Sequence, residues 1–129
     1  MWVVAAALIA ADGRVLVQRR PPGKSLAGLW EFPGGKPEIG ESPEQALVRE
    51  LDEELGIAVE TRDLTASAFA SEALGHRHLI LLLYICRIWE GAPRALHASE
   101  LRWVDFAELN RLDMPPADRP LIAALAKLI

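Results

Sequence analysis

Cysteine is almost missing. Cys86 stands alone in 129 residues, so no disulfide framework can form within the chain. Flanked by apolar residues, it reads as a buried structural thiol rather than a nucleophile, in a reducing compartment. Hydrophobic runs long enough for a bilayer are also lacking. The longest near the N-terminus, Trp2 to Ala11, is about half of what a spanning helix needs, and it has no basic start of the kind a signal peptide carries. A cytoplasmic strand without membrane association is the expectation. Excess positive charge is absent too: a net charge of −4 and a pI near 5.4 exclude a broad grip on a phosphate backbone and hence stable nucleic-acid binding. A small anion held through a metal is still allowed. With no internal repeat, low-complexity tract or linker, residues 1–129 are expected to form one domain, with a monomer favoured.

What is present suits a globular chain, 51% apolar and 25% charged. VVAAALIA and VLVQRR are β-rich runs on either side of Asp12-Gly13, a hairpin signal, so the first two strands are expected to pair antiparallel. Pro21 to Leu29, punctuated by Gly and Pro, reads as a loop able to cover a substrate. Ala58 to Ser71 alternates loosely, and His78 to Trp89 is an almost unbroken apolar run suited to a buried central strand. After a turn at Glu90-Gly91-Ala92-Pro93 come a short strand around Leu101 to Val104 and a brief helix capped by Asp105, with Glu108 in the box position and Pro115-Pro116 at its end. Asp118 or Arg119 opens a last helix, with Pro120 in its first turn and Leu121, Ile122, Leu125 and Leu128 as its buried stripe. The pattern predicts an α/β fold with helices on both faces of a mixed sheet.

The most informative segment is GGKPEIGESPEQALVRELDEELGI, Gly34 to Ile57. Ser42 can cap a helix, Pro43 fits its first turn, Gln45 occupies the capping-box position and Gly56 offers a left-handed stop. Leu47, Leu51 and Leu55 recur as a packing stripe. Rotated away from them, Glu50, Glu53 and Glu54 stand three and four residues apart, so their carboxylates project to one side within a turn of each other. Like charges at that spacing repel, and clustered hard oxygens suit a compensating Mg²⁺ or Mn²⁺. Glutamates alone are more often a solvated face; the joint pattern with the glycine turn and Arg49 is what points to chemistry. Arg49, four residues before Glu53, reads as a surface ion pair or as a cation orienting the carboxylates from behind. Arg19, Arg20, Lys24, Lys36 and Arg77 would frame a phosphate-sized target.

Gly35, five residues, Glu41, seven residues, Arg49-Glu50-Leu51, one residue, Glu53-Glu54, one residue, Gly56-Ile57: this spacing resembles the complete Nudix box, with every specified position filled. The resemblance extends along nearly the whole chain to MutT-type members of the Nudix hydrolase family, through GLWEFPGGKPEIGESPEQALVRELDEELGI, RHLILLLYICRIWEG and MPPADRPLIAAL. It implies an α/β/α sandwich and Mg²⁺- or Mn²⁺-dependent cleavage of (deoxy)nucleoside triphosphates to monophosphate and pyrophosphate. The leading substrate under the resemblance is 8-oxo-dGTP. The alternative is CTP, dCTP or another modified pyrimidine or adenine nucleotide, and sugar nucleotides stay open. From a different class, the same fold also serves as a non-catalytic module that recognises 8-oxoguanine.

Residue by residue, the resemblance makes the Gly34 carbonyl, Glu50, Glu53 and Glu54 metal ligands, lets one of these carboxylates take the proton from water, and has Arg49 orient them. Gly35, Glu41 and Gly56 support the loop and helix, although Glu41 equally suits a loop-capping acid. Lys36 and Arg20 become phosphate-binding residues. Arg20, Phe32, Arg77 and Asp118 match nucleotide-contacting positions, while Phe32 also reads as core and Arg77 as a strand-end charge. At Asp118 the 8-oxo-dGTP enzymes carry an asparagine whose amide donates to purine O6 and accepts from N7–H. An ionised carboxylate there would repel O6 and favour an amino-bearing base such as cytosine or adenine; capping the last helix is its other reading. One position departs from the pattern. Close relatives place a metal-shell glutamate shortly before the tryptophan matching Trp103, and here His97 stands in its place, with Glu100 as a candidate substitute.

Overall fold

The computed structural model describes residues 1–129. In chain order the elements are β1 (Trp2–Leu8), β2 (Val15–Arg19), β3 (Trp30–Glu31), β4 (Gly34–Gly35), α1 (Pro43–Leu55), β5 (Leu64–Leu74), β6 (Arg77–Cys86), β7 (Glu100–Val104), α2 (Phe106–Arg111) and α3 (Asp118–Leu128). β1 runs parallel to β6 from Trp2↔Ile80 to Leu8↔Cys86 and antiparallel to β4 at Val4↔Gly35 and Ala5↔Gly34. β5 pairs antiparallel with β6, with a register shift between Ala66 and Ala68. The result is a mixed four-stranded sheet, β4-β1-β6-β5, beside an antiparallel three-stranded sheet, β3-β2-β7.

The unbroken apolar character of β1 follows from its being covered on both faces. Val4, Ala6 and Leu8 join Leu47, Leu51 and Leu55 of α1 in one core, whereas Ala5, Ala7 and Ile9 join Leu109 of α2 and Leu121, Ile122 and Leu125 of α3 in another. Helices thus lie on both faces of the mixed sheet, as the sequence predicts. α1 is specified at both ends. Ser42 Oγ accepts from the Gln45 N–H at 3.1 Å, Gln45 Oε1 accepts from the Ser42 N–H at 2.9 Å, and Gly56 stops the helix at φ 70°, ψ 26°. The last carbonyls of α1 are satisfied from a distant loop: Arg94 N–H donates to Leu55 O and Leu96 N–H to Glu54 O.

The first two strands do not pair as expected. The turn at Asp12-Gly13 forms, with Gly13 N–H donating to Ala10 O, but beyond the single bridge Ile9↔Val15 the strands part. Both edges of β1 are already occupied by β4 and β6, so the chain leaves for the second sheet. The helix α2 stops at Arg111, ahead of Pro115-Pro116, and the Arg119 guanidinium donates to the Asn110 and Leu112 carbonyls at its end. The prolines instead accept the Asp118 and Arg119 N–H groups that begin α3. Leu128, in the last turn of α3, is half exposed rather than part of the buried stripe. Cys86 is fully buried, its thiol donating to Ile88 O.

Candidate active site

A cleft of about 730 Å³ collects most of the residues singled out from the sequence: Gly34, Gly35, Lys36, Glu50, Glu53 and Glu54, then Arg20, Phe32, Arg77, His97 and Asp118. Its size lies within the range of small-molecule sites. Phe32, Leu79, Leu81 and Ala117 give it an apolar part beside Asp118, and Lys36 with the three glutamates a charged part. Arg49, Glu41, Gly56 and Glu100 stand outside the lining. Glu100 faces Arg19 and Arg102, both at 3.8 Å, so of the two candidates for the substituted glutamate it is His97 that reaches the cleft. The docking of Arg94 and Leu96 on the end of α1 is what brings His97 there.

The glycine pair is fixed by crowding. A Cβ on Gly34 would stand 1.9 Å from Val4 O, and one on Gly35 would stand 2.4 Å from the Glu50 carboxyl carbon. Glu50 therefore lies directly against the β4 backbone. Behind it, Arg49 forms a fork to Glu41 at 2.8 and 3.0 Å and reaches Glu50 at 3.0 Å, Glu53 at 3.2 Å and Lys36 O at 3.1 Å. This is an orienting arrangement rather than a lone surface ion pair. The Arg49 fork, and next the Glu38 N–H, lower the Glu41 pKa; the same fork raises that of Arg49.

Glu54 faces elsewhere. Its Oε2 accepts from Gly34 N–H at 3.0 Å, and burial, reinforced by the charge of Glu50, pushes its pKa up to about 8. Burial also raises Glu50, outweighing the opposing pull of Arg49. Although the three glutamates share one wall, no three acidic, histidine or cysteine side chains converge as a metal cage. Glu50 and Glu53 each accept from the Arg49 guanidinium, and Glu54 from the Gly34 N–H.

Arg20 is engaged within the protein. It donates to Glu31 at 2.7 Å and to Ser25 O at 2.8 Å, bracing the 21–29 loop against β3. Asp118 does not cap α3, whose N-cap is Ala117 without a side-chain bond. Its carboxylate instead turns inward to the Phe32 N–H at 3.5 Å. Burial, and then the Glu31 charge, lift its pKa to about 7 against the pull of Phe32 N–H and Arg20. Phe32 is both core and lining, being buried and facing the cleft.

The NUDIX domain family model matches residues 4–124. The chain belongs to the Nudix family. It is 38% identical over 117 residues to an 8-oxo-dGTP diphosphatase of Escherichia coli K12, covering 91% of this chain and 89% of that one. It is 39% identical over 128 residues to a CTP pyrophosphohydrolase of the same organism, covering 99% and 93%. The solution structure of the E. coli ORF135 protein superimposes with a TM-score of 0.87 at 38% identity, over 98% of this chain and 89% of the other. As a Nudix hydrolase the chain acts on a phosphoric anhydride.

The donor set of this Nudix site fits a divalent cation. Glu50 and Glu54 are neighbouring hard-oxygen donors whose pKa values are raised first by burial and then, at Glu54, by the charge of Glu50. A testable consequence follows from linkage. Between about 4.5 and 8 the folded protein holds a proton on Glu54 that the unfolded chain releases, so the metal-free protein should lose stability as pH rises through that window. Asp118 acts in the same direction between about 3.8 and 7. Thermal melts across this range should show Mg²⁺ or Mn²⁺ raising Tm more at pH 8 than at pH 6; equal gains would contradict the assignment. Glu31, which lines the cleft, escapes motif reading, as does buried Gln18 beside it on β2. Glu31 acts on both Glu54 and Asp118, and its signal was a lone charge in GLWEF. Gln18 lies in phase with buried Leu16 in VLVQRR, where an apolar residue is the rule.

Proposed function

We propose that the chain is a single-domain, Mg²⁺-dependent Nudix pyrophosphohydrolase converting a (deoxy)nucleoside triphosphate to monophosphate and pyrophosphate. It works in the cytoplasm, as a monomer, without stable binding to nucleic acid. 8-oxo-dGTP is the leading substrate and CTP the second. The carrying observation is one cleft that joins Lys36, Glu50, Glu53 and Glu54 to an apolar part holding buried Asp118. A ligand with a polyphosphate and a base matches both parts. Similarity to an 8-oxo-dGTP diphosphatase and to a CTP pyrophosphohydrolase supports this pair of substrates.

In this reading Glu50, Glu53, Glu54 and the Gly34 carbonyl hold the cation, whose charge offsets that of the polyphosphate. Arg49 keeps Glu50 and Glu53 oriented from behind, with Glu41 and Gly35 fixing the loop and Gly56 the helix end. Lys36 adds a point charge toward the phosphates. A cleft carboxylate accepts the proton lost by the attacking water as its oxygen bonds to phosphorus and the bond from that phosphorus to the bridging oxygen breaks, leaving monophosphate and pyrophosphate. Phe32 packs on the base, and Arg77 and Arg20 flank the nucleotide.

Asp118 sets the choice of base. Poised at about 7, it can donate to purine O6 when protonated and only accept, as from a cytosine amino group, when ionised. With Mg²⁺ and a panel of ordinary and oxidised triphosphates, the ratio of kcat/KM for 8-oxo-dGTP to that for CTP should fall as pH rises through about 7. Using the ratio cancels titrations common to both substrates. Asp118→Asn should keep 8-oxo-dGTP turnover, flatten the pH dependence of the ratio and lower CTP turnover by roughly 10–100-fold, the worth of a charged hydrogen bond. Equal rates of monophosphate formation across the panel would overturn 8-oxo-dGTP as the leading substrate.

A further inference from the structure

The floor of the cleft crosses the whole of the large sheet. Gly34 on β4, Ala5 on β1, Leu81 and Leu79 on β6 and Glu72 on β5 all line it. The strand order β4-β1-β6-β5 sets the first and last of these at opposite edges, about 14 Å apart at the usual strand spacing. The acids of α1 stand over the β4 edge, where Glu50 lies against Gly35 and Glu54 accepts from Gly34 N–H. A nucleotide whose phosphates lie there extends its base toward β6 and β5, so Glu72 stands at the nucleoside end. It pairs in register with Leu79 and, past the register shift, follows Ala68 and Ala70 on one face of β5. Ala70 and Leu81 share a core with Leu121 and Ile122, so this is the face that α3 covers, and the first residue of α3, Asp118, reaches the same cleft. An apolar side chain is the rule at that phase, yet Glu72 is a half-buried carboxylate.

Every other acid of the cleft has a partner within the protein. Glu31 has Arg20, Glu50 and Glu53 have Arg49, Glu54 has Gly34 N–H and Asp118 has Phe32 N–H. Glu72 has none. Arg77, paired with Leu74, stands diagonal to it on the same face, and no ion pair joins the two. A carboxylate offers two coplanar acceptor oxygens, and the group that satisfies both is a pair of adjacent, coplanar N–H donors. Among the four ordinary bases only guanine presents such a pair, N1–H beside the 2-amino group. Adenine and cytosine set their amino group beside a ring nitrogen that accepts, which would face the second oxygen of Glu72. We propose that Glu72 is a specificity-determining residue that accepts from N1–H and the 2-amino group and so selects guanine-type bases. That edge is the same in guanine and 8-oxoguanine, so Glu72 sets the class of base and leaves recognition of its oxidation to the rest of the cleft. The inference rests on reading the cleft as a nucleotide site with the phosphates at the acids of α1.

The test reads binding of monophosphates, which have no anhydride to cleave and so separate base selection from turnover. Affinities for 8-oxo-dGMP, dGMP, dIMP and dCMP are measured calorimetrically with Mg²⁺ for wild type, Glu72→Thr and Glu72→Gln. Threonine suits a strand, and glutamine keeps the shape while turning one acceptor into a donor, so either variant serves if the other folds poorly. dIMP differs from dGMP only in lacking the 2-amino group. Wild type should bind dGMP about 10-fold more tightly than dIMP, the lower end of what a hydrogen bond to a charged group is worth. In both variants dGMP and dIMP should bind alike, 8-oxo-dGMP and dGMP should weaken by the same factor, and dCMP should hold its affinity. Mn²⁺ binding without nucleotide should match wild type, because Glu72 lies at the far edge of the sheet from the acids of α1. A wild type indifferent to the 2-amino group, a preference for dGMP that survives both substitutions, or equal weakening of dCMP and dGMP would overturn the proposal. A wild type that preferred dGMP over dIMP yet cleaved no triphosphate would count against the proposed function alone.

Discussion

Glu53→Gln is expected to lower turnover by roughly 10²–10⁴-fold, the range for removing a positioned proton-transfer group, while leaving the fold intact. The separation of effects follows from where Glu53 lies. Its side chain is 57% exposed and bonded only to Arg49, on the side of α1 away from the fully buried Leu47, Leu51 and Leu55. Glutamine keeps the shape and removes a charge from the cleft wall, so stability should stay within about 0.5 kcal/mol of wild type, as for an ordinary surface substitution. Glu44→Gln is the control. Glu44 sits in the first turn of the same helix, accepts from the Tyr84 hydroxyl and lies outside the cleft. Steady-state release of pyrophosphate, followed beside thermal melts, should therefore collapse in the first variant and persist in the second. Retained turnover in Glu53→Gln, or equal losses in both, would refute an active site at this wall.

How much of this was readable beforehand depends on whether the determining contacts were local. The span, cap, stop and buried stripe of α1 follow from Ser42, Gln45, Gly56 and the leucine spacing, all within reach of one another along the chain. The core position of β6 follows from its unbroken apolar run. Strand partnership was not readable, because the turn at Asp12-Gly13 reports a reversal of the chain and says nothing of which edge is free when β1 arrives. The same limit applies in the site. The glutamates of α1 announced themselves by spacing, but the division of their partners, Arg49 for Glu50 and Glu53 and Gly34 N–H for Glu54, is an outcome of three dimensions. Asp118 presented a helix-start pattern, and only the approach of β3 turned its carboxylate inward. Glu31 lies just ahead of the box on β3 and Gln18 on β2, and the two are brought together only by the pairing of those strands.

Arg49 is the residue whose loss should be felt in both stability and chemistry. It is the one cation bonded to the glutamates of this cluster, reaching Glu41, Glu50 and Glu53 by hydrogen bonds and Glu38 at 3.6 Å, and its bond to Lys36 O ties the loop before α1 to the helix. Arg49→Met removes the fork, frees that loop and sets Glu41, Glu50 and Glu53 against one another. The divalent-ion concentration for half-maximal turnover should rise roughly 10–100-fold, as for other groups that orient metal ligands. Arg49→Lys should recover part of the stability and little of the activity, because an ammonium supplies the charge without the planar fork. The stability loss carries its own pH signature. The Glu41 pKa is held below its ordinary value of 4.5 by Arg49, so that contribution is present above 4.5 and disappears as pH falls through the depressed folded value. The Tm gap between wild type and Arg49→Met should therefore be full at neutral pH and close on acidification below 4.5. A gap that stayed constant with pH, together with a wild-type requirement for the divalent ion, would mean that Arg49 is only a surface partner of the acids beside it.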